Sequence, residues 1–94
     1  MAHHSSQAVI DAATHCAYEC EHCATECMGS MPECARVCLD CAQLCWTTAS
    51  YISRASRFIP QVVRACIEIC EACATECEKH QDSPHCQKCA EACR

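Results

Sequence analysis

The stretch Cys16-Ala17-Tyr18-Glu19-Cys20-Glu21-His22-Cys23-Ala24-Thr25-Glu26-Cys27 steps its four cysteines by 4, 3 and 4 residues. On an α-helix, side chains three and four apart lie one above another, so this spacing puts every thiol on one face. The same step recurs at Cys34, Cys38, Cys41, Cys45 and at Cys66, Cys70, Cys73, Cys77, and Cys86, Cys89, Cys93 repeat its last part. Stacked, the segments read CAYECEHCATEC, CARVCLDCAQLC, CIEICEACATEC and DSPHCQKCAEAC, with Asp82 in place of the first cysteine of the fourth copy. Self-similarity of this kind marks one structural unit used repeatedly. Here the unit is a helix with a stripe of sulfur.

Helix punctuation agrees. Ser30-Met31-Pro32-Glu33 offers an N-cap serine, a proline in the first turn and a glutamate at the capping-box position. Asp82-Ser83-Pro84 offers a similar start, Pro60 falls in a first turn, and Gly29, the single glycine, stands where the first helix must stop. Four helices are predicted: Ser6 to Met28, Pro32 to Arg54, Ile59 to His80, and Pro84 to the end. Connections at 28–32 and 80–84 are short, so consecutive helices run antiparallel. The fold expected is all-α: an antiparallel up-down four-helix bundle with a cysteine-lined core, one domain over residues 1–94, with residues 1–5 disordered.

The stripes extend beyond their cysteines, and the two ends of the bundle differ. Ala13 and Val9 precede Cys16, Thr48 and Ile52 follow Cys45, and Val63 and Ile59 precede Cys66. With Phe58 they gather at one end as an apolar plug. The other end collects the short turns, with Met28 and Met31 on one side and His80 and His85 on the other.

Fifteen cysteines in 94 residues make about 16% of the chain, against the roughly 8–10% that already marks an unusual class. Seven Lys and Arg against twelve Asp and Glu give a net charge of −5, which argues against nucleic-acid binding. No run approaches the roughly 18 consecutive apolar residues of a membrane span. The first residues lack the charged and apolar regions of an export signal, so a reducing, cytoplasmic setting is expected.

The possible roles of the thiols differ in their chemistry. Single buried cysteines serve as small hydrophobes, but alanine, leucine and valine would fill such a core without the hazard of oxidation. A disulfide framework fits poorly, because neighbours at i,i+3 and i,i+4 on one helix strain the bridge. Redox dithiols need an exposed, low-pKa cysteine, whereas the C-x2-C pairs here face a core. Zinc prefers closed four-ligand sites on loops or helix ends, and a Zn(Cys)4 unit leaves two uncompensated charges. Nothing matches the loop motifs of iron–sulfur clusters.

Copper(I) suits the pattern. It is soft, prefers thiolates and thioethers, and accepts two or three ligands. Seven C-x3-C pairs (Cys16/Cys20, Cys23/Cys27, Cys34/Cys38, Cys41/Cys45, Cys66/Cys70, Cys73/Cys77, Cys89/Cys93) place two sulfurs on one face. One Cu+ neutralises one thiolate, so a core with about as many ions as sulfurs stays close to neutral. On the order of ten to fifteen Cu(I) per chain are expected. Binding and storage need no catalysis, so no enzyme activity is expected. A zinc or mixed-metal thiolate buffer is the alternative.

These repeated helices, and the final Cys86-Gln87-Lys88-Cys89-Ala90-Glu91-Ala92-Cys93, resemble those of the bacterial copper storage proteins from about Cys16 to Cys93. The resemblance implies a homotetramer of bundles, each holding many Cu(I) ions along its axis, with the fifteen cysteines as ligands. It further implies His and Met near an open mouth, matching His80, His85, Met28 and Met31 here. Family members come in exported and cytosolic forms. Two departures stand out: Asp82 replaces a cysteine, and the fourth helix is short, so a further segment or an oligomer neighbour is expected to cover the apolar end. His15 and His22 are expected beside the core and not in it, the acidic residues on a solvated face, and Tyr18, Trp46 and Tyr51 between bundles.

Overall fold

The computed structural model describes the backbone of residues 2–94 and the side chains from Ser6 onward. Helix α1 spans Ala2–Cys27, α2 Pro32–Ser53, α3 Ile59–Glu78 and α4 Pro84–Cys93. The backbone of Ala2–Ser5 thus extends α1 ahead of its predicted start. Met1 and the side chains of residues 2–5, part of the segment expected to be disordered, lie outside the described residues.

Proline stands in the first turn of α2, α3 and α4, where its missing N–H costs nothing. The predicted capping box does not form. Met31 takes the N-cap of α2 without a side-chain bond, and Glu33 instead pairs with Arg36 at 2.6 Å. The turn before α2 also differs from expectation. Gly29 has no positive φ, and a Cβ there would meet nothing within 4 Å, so its conformational freedom is not what stops α1. Pro32 supplies a cause, because the residue before a proline is pushed out of the helical region, and Met31 sits at φ −135°, ψ 71°.

The left-handed residue lies elsewhere. Ala55 has φ 53°, with its N–H bonded to Ile52 O (3.1 Å) and the N–H of Ser56 bonded to Tyr51 O (3.1 Å). This is the Schellman arrangement, which normally favours glycine.

The helices form a ring, α1–α2–α3–α4, in which each packs on its neighbours in sequence and α4 closes on α1. The molecule measures 44 × 20 × 18 Å, one bundle's thickness and a little over twice as long. Cys16 meets Cys93 while Cys27 meets Cys86, and Cys34 meets Cys77 while Cys45 meets Cys66, so α1 with α4 and α2 with α3 run antiparallel. Buried alanines (Ala17, Ala24, Ala35, Ala42, Ala74, Ala90) sit beside the thiols and let the backbones approach closely.

The apolar plug is one-sided. Thr48, Ala49 and Ile52 of α2 are buried, but Val9 is 47% and Phe58 48% exposed. The ten residues of α4 extend about 15 Å, and they leave that end of α1 and α3 uncovered among the described residues.

Two outcomes follow from this packing. The metal-free protein is expected to be mostly helical by far-UV circular dichroism, since its neutral thiols pack as small apolar groups; a coil spectrum would refute this. Ala55→Gly is expected to raise stability by up to about 1 kcal/mol, the left-handed strain it relieves exceeding the added freedom of the unfolded chain, read as a higher midpoint in thermal unfolding.

Candidate metal centre

Every cysteine except Cys70 and Cys93 is buried, and all fifteen are free thiols. Their sulfurs meet along the bundle axis. Cys16 Sγ lies 3.2 Å from Cys93, 3.9 Å from Cys41 and 4.0 Å from Cys70, so one layer draws on all four helices. Deeper toward the short turns, Cys89 is 3.5 Å from Cys20 and 3.8 Å from Cys73, and Cys38 is 3.7 Å from Cys77. At the turn end Cys86 lies 3.7 Å from Cys23 and 3.8 Å from Cys27. At the opposite end Cys45 is 3.8 Å from Cys66.

Only some of the helical pairs close on themselves. Cys16/Cys20, Cys23/Cys27, Cys41/Cys45 and Cys66/Cys70 stand 3.8–4.0 Å apart. Cys34, Cys73 and Cys93 take close contacts across helices instead, with Cys77, Cys20 and Cys16 respectively. Five groups of four sulfurs, each group within 4.8 Å, result: Cys16-Cys41-Cys45-Cys70, Cys16-Cys20-Cys41-Cys93, Cys20-Cys73-Cys89-Cys93, Cys23-Cys38-Cys77-Cys89 and Cys23-Cys27-Cys34-Cys86. Each group shares one or two sulfurs with the next. Such spacing lets a thiolate bridge neighbouring soft ions, and the sulfur-only donor set selects a thiophilic metal.

Burial is the largest cause holding Cys27, Cys34 and Cys86 above the usual thiol value of 9.0. Within the column, thiols share protons with one another. Hydrogen bonds raise Cys20 (with Cys16 foremost), Cys70 (Cys16) and Cys73 (Cys20). The thiols that accept move the other way: Cys41 and Cys93 fall, each chiefly through Cys16, and Cys77 falls through Cys23. Cys66 is lowered to about 3, mainly by Cys45, and Cys23 to about 6, mainly by Cys38.

The residues expected at the mouth divide. His85 Nε2 lies 3.5 Å from Cys27 Sγ, so this histidine touches the sulfur column. His80, the better candidate from the stripe, turns toward Glu76, with Nε2 3.6 Å from Oε2. That nitrogen is buried and has no hydrogen-bond partner. Met31 packs on the core, whereas Met28 is 64% exposed. His15, His22 and Asp82 are exposed. The cysteine stripe by itself does not reveal the buried alanines flanking the thiols, although the recurrent Cys-Ala pair is their visible signal.

Comparison with known proteins identifies the same arrangement. The copper storage protein family signature (Csp) matches residues 2–94. The chain belongs to the copper storage protein family. A solved structure, "Cu(I)-bound Copper Storage Protein BsCsp3", is similar at a TM-score of 0.88 and 39% identity, covering 94% of this chain and 87% of that one. No curated protein sequence matches significantly. The Csp family is a metal store and not a family of enzymes, and no helix among the described residues is long and apolar enough to cross a membrane.

Copper loading of the turn-end group should depend on pH. Burial keeps Cys27, Cys34 and Cys86 protonated near neutrality when metal-free, so Cu(I) binding there would displace their protons. Lower pH favours the protonated, metal-free form, and apparent affinity is expected to fall about tenfold per pH unit for each proton displaced. Competition with a Cu(I) chelator of known pH response across the neutral range reads this, and a flat profile would contradict it.

Proposed function

We propose that this Csp-family chain binds and stores multiple Cu(I) ions as cargo inside one bundle domain spanning its length, with Cys16, Cys20, Cys23, Cys27, Cys34, Cys38, Cys41, Cys45, Cys66, Cys70, Cys73, Cys77, Cys86, Cys89 and Cys93 as ligands. The observation that carries this reading is the run of five groups that share sulfurs along a single axis. The Cu(I)-bound state of BsCsp3 supports copper as the metal. Monovalent copper is also the cargo whose charge a column of thiolates neutralises one for one.

At the turn end, His85 is a ligand or a relay to Cys27, and Met31, packed on the core, offers a thioether. His80 and Met28 join them only if their side chains reorient. Four chains assemble as a homotetramer in the cytoplasm. Exposed Tyr18, Leu39 and Trp46 support a protein-covered face on α1 and α2, because such apolar groups are costly to leave in water.

Anaerobic titration of the reduced protein with Cu(I), against a strong chelator, tests the reading. Saturation above about ten ions per chain is expected. A stop near three or four, or a preference for Zn2+, would favour a thiolate buffer instead. Light scattering should return the mass of four 10.3 kDa chains, and a monomer would refute the assembly.

A further inference from the structure

At the turn end of the column three sulfurs close on one another. Cys23 and Cys27, one helical turn apart on α1, are separated by 3.8 Å. Cys86, from the first turn of α4, lies 3.7 Å from Cys23 and 3.8 Å from Cys27. The triangle is nearly equilateral, and all three residues are 0% exposed. Cys34 stands at its edge, 4.0 Å from Cys86. The group formed by these four cysteines is joined to the next one along the axis by a single shared sulfur, Cys23. An occupant here therefore disturbs the rest of the column least.

Charge decides what three buried thiols can hold in isolation. A lone monovalent ion among three thiolates leaves two negative charges away from water, and a divalent ion leaves one, both costly. A trivalent thiophilic centre cancels all three. We infer that the Cys23-Cys27-Cys86 triangle is a binding site for trivalent arsenic, taken up as neutral arsenous acid. Each thiol replaces one hydroxyl group of the acid. Three As–S bonds form, three As–O bonds break, and each thiol proton leaves on a departing hydroxyl as water. Arsenic stays trivalent, and no net charge enters the core.

The dimensions agree. An atom at the centre of such a triangle lies about 2.2 Å from each sulfur, close to the roughly 2.3 Å of a metal–thiolate bond. Arsenic sits above the plane of its three sulfurs, which draws them slightly together. Because α1 ends at Cys27 and α4 begins at Pro84, both helix ends can make that small adjustment. The two helices already hold the three thiols side by side, so little ordering remains to be done on binding. Burial also excludes the water that would reverse the exchange. The inference needs the sulfur geometry and not the copper reading.

The test uses reduced, metal-free protein under argon, with arsenite as the probe and no copper present. At one equivalent, native mass spectrometry is expected to show one arsenic gained and three hydrogens lost per chain. Arsenic X-ray absorption should report three sulfur neighbours and no oxygen. Crystals of that sample should place the arsenic anomalous peak among Cys23, Cys27 and Cys86. No binding, two sulfurs with a retained oxygen, or a peak confined to other parts of the column overturns the inference. Cys86→Ser leaves only the Cys23/Cys27 dithiol of the triangle, and arsenite affinity is expected to fall at least about tenfold. Unchanged affinity in a Cys86→Ser chain that is helical by circular dichroism also overturns it. If that variant does not fold, the anomalous peak in the parent decides. Copper titration of the untreated parent is independent of these outcomes, so the storage reading and this site fail separately.

Discussion

Cysteine is a short side chain, and a column of its sulfurs forms only where four helices come near enough for those short arms to meet on the axis. The rest of the architecture depends on this reach. Alanine rather than a larger residue flanks the thiols at Ala17, Ala24, Ala35, Ala42, Ala74 and Ala90, because a bulkier group on the helix seams would push the backbones apart and open the sulfur contacts. Among the described residues, the largest side chains that are fully buried are all cysteines. Hydrophobic stabilisation scales with apolar area removed from water, so this bundle draws less on burial per residue than one packed with leucine. It retains conventional packing chiefly on α2, at Ala49 and Ile52.

The same crowding explains the electrostatics. Fifteen ionised thiolates in so narrow a space would repel one another and would each have to give up hydration. The metal-free column avoids this by keeping part of its thiols neutral through burial, as at Cys34 and Cys86, and by sharing protons along sulfur contacts. A monovalent soft cation resolves the conflict from the other side, since each ion that binds cancels one thiolate and can be bridged by the next. The acidic residues remain on the outer surface, where water screens them.

The structure differs from expectation where two local devices compete. Ser30 and Glu33 suggest a capping box, but the proline after Met31 sets the start of α2. His80 continues the sulfur stripe by one step, yet α3 ends at Glu78 and the ring turns to Glu76, while His85, from the first turn of α4, reaches Cys27. The helical C-x3-C pairs likewise do not all chelate within one helix. Neighbouring helices offer Cys34, Cys73 and Cys93 nearer sulfur partners than their own helix does. A ligand set read from one helix at a time overlooks such competition, because sequence spacing states which face a side chain occupies and not what stands opposite.

Spacing alone determined the four helices, the face each one buries and the soft-metal chemistry of the interior. Periodicity is a property of a single helix and needs no partner to be legible. Tertiary structure decided which sulfurs share a cluster, which histidine touches the column, and that Ile52 is buried while Val9 and Phe58 stay half exposed. Those features depend on the relative lengths and rotations of packed helices.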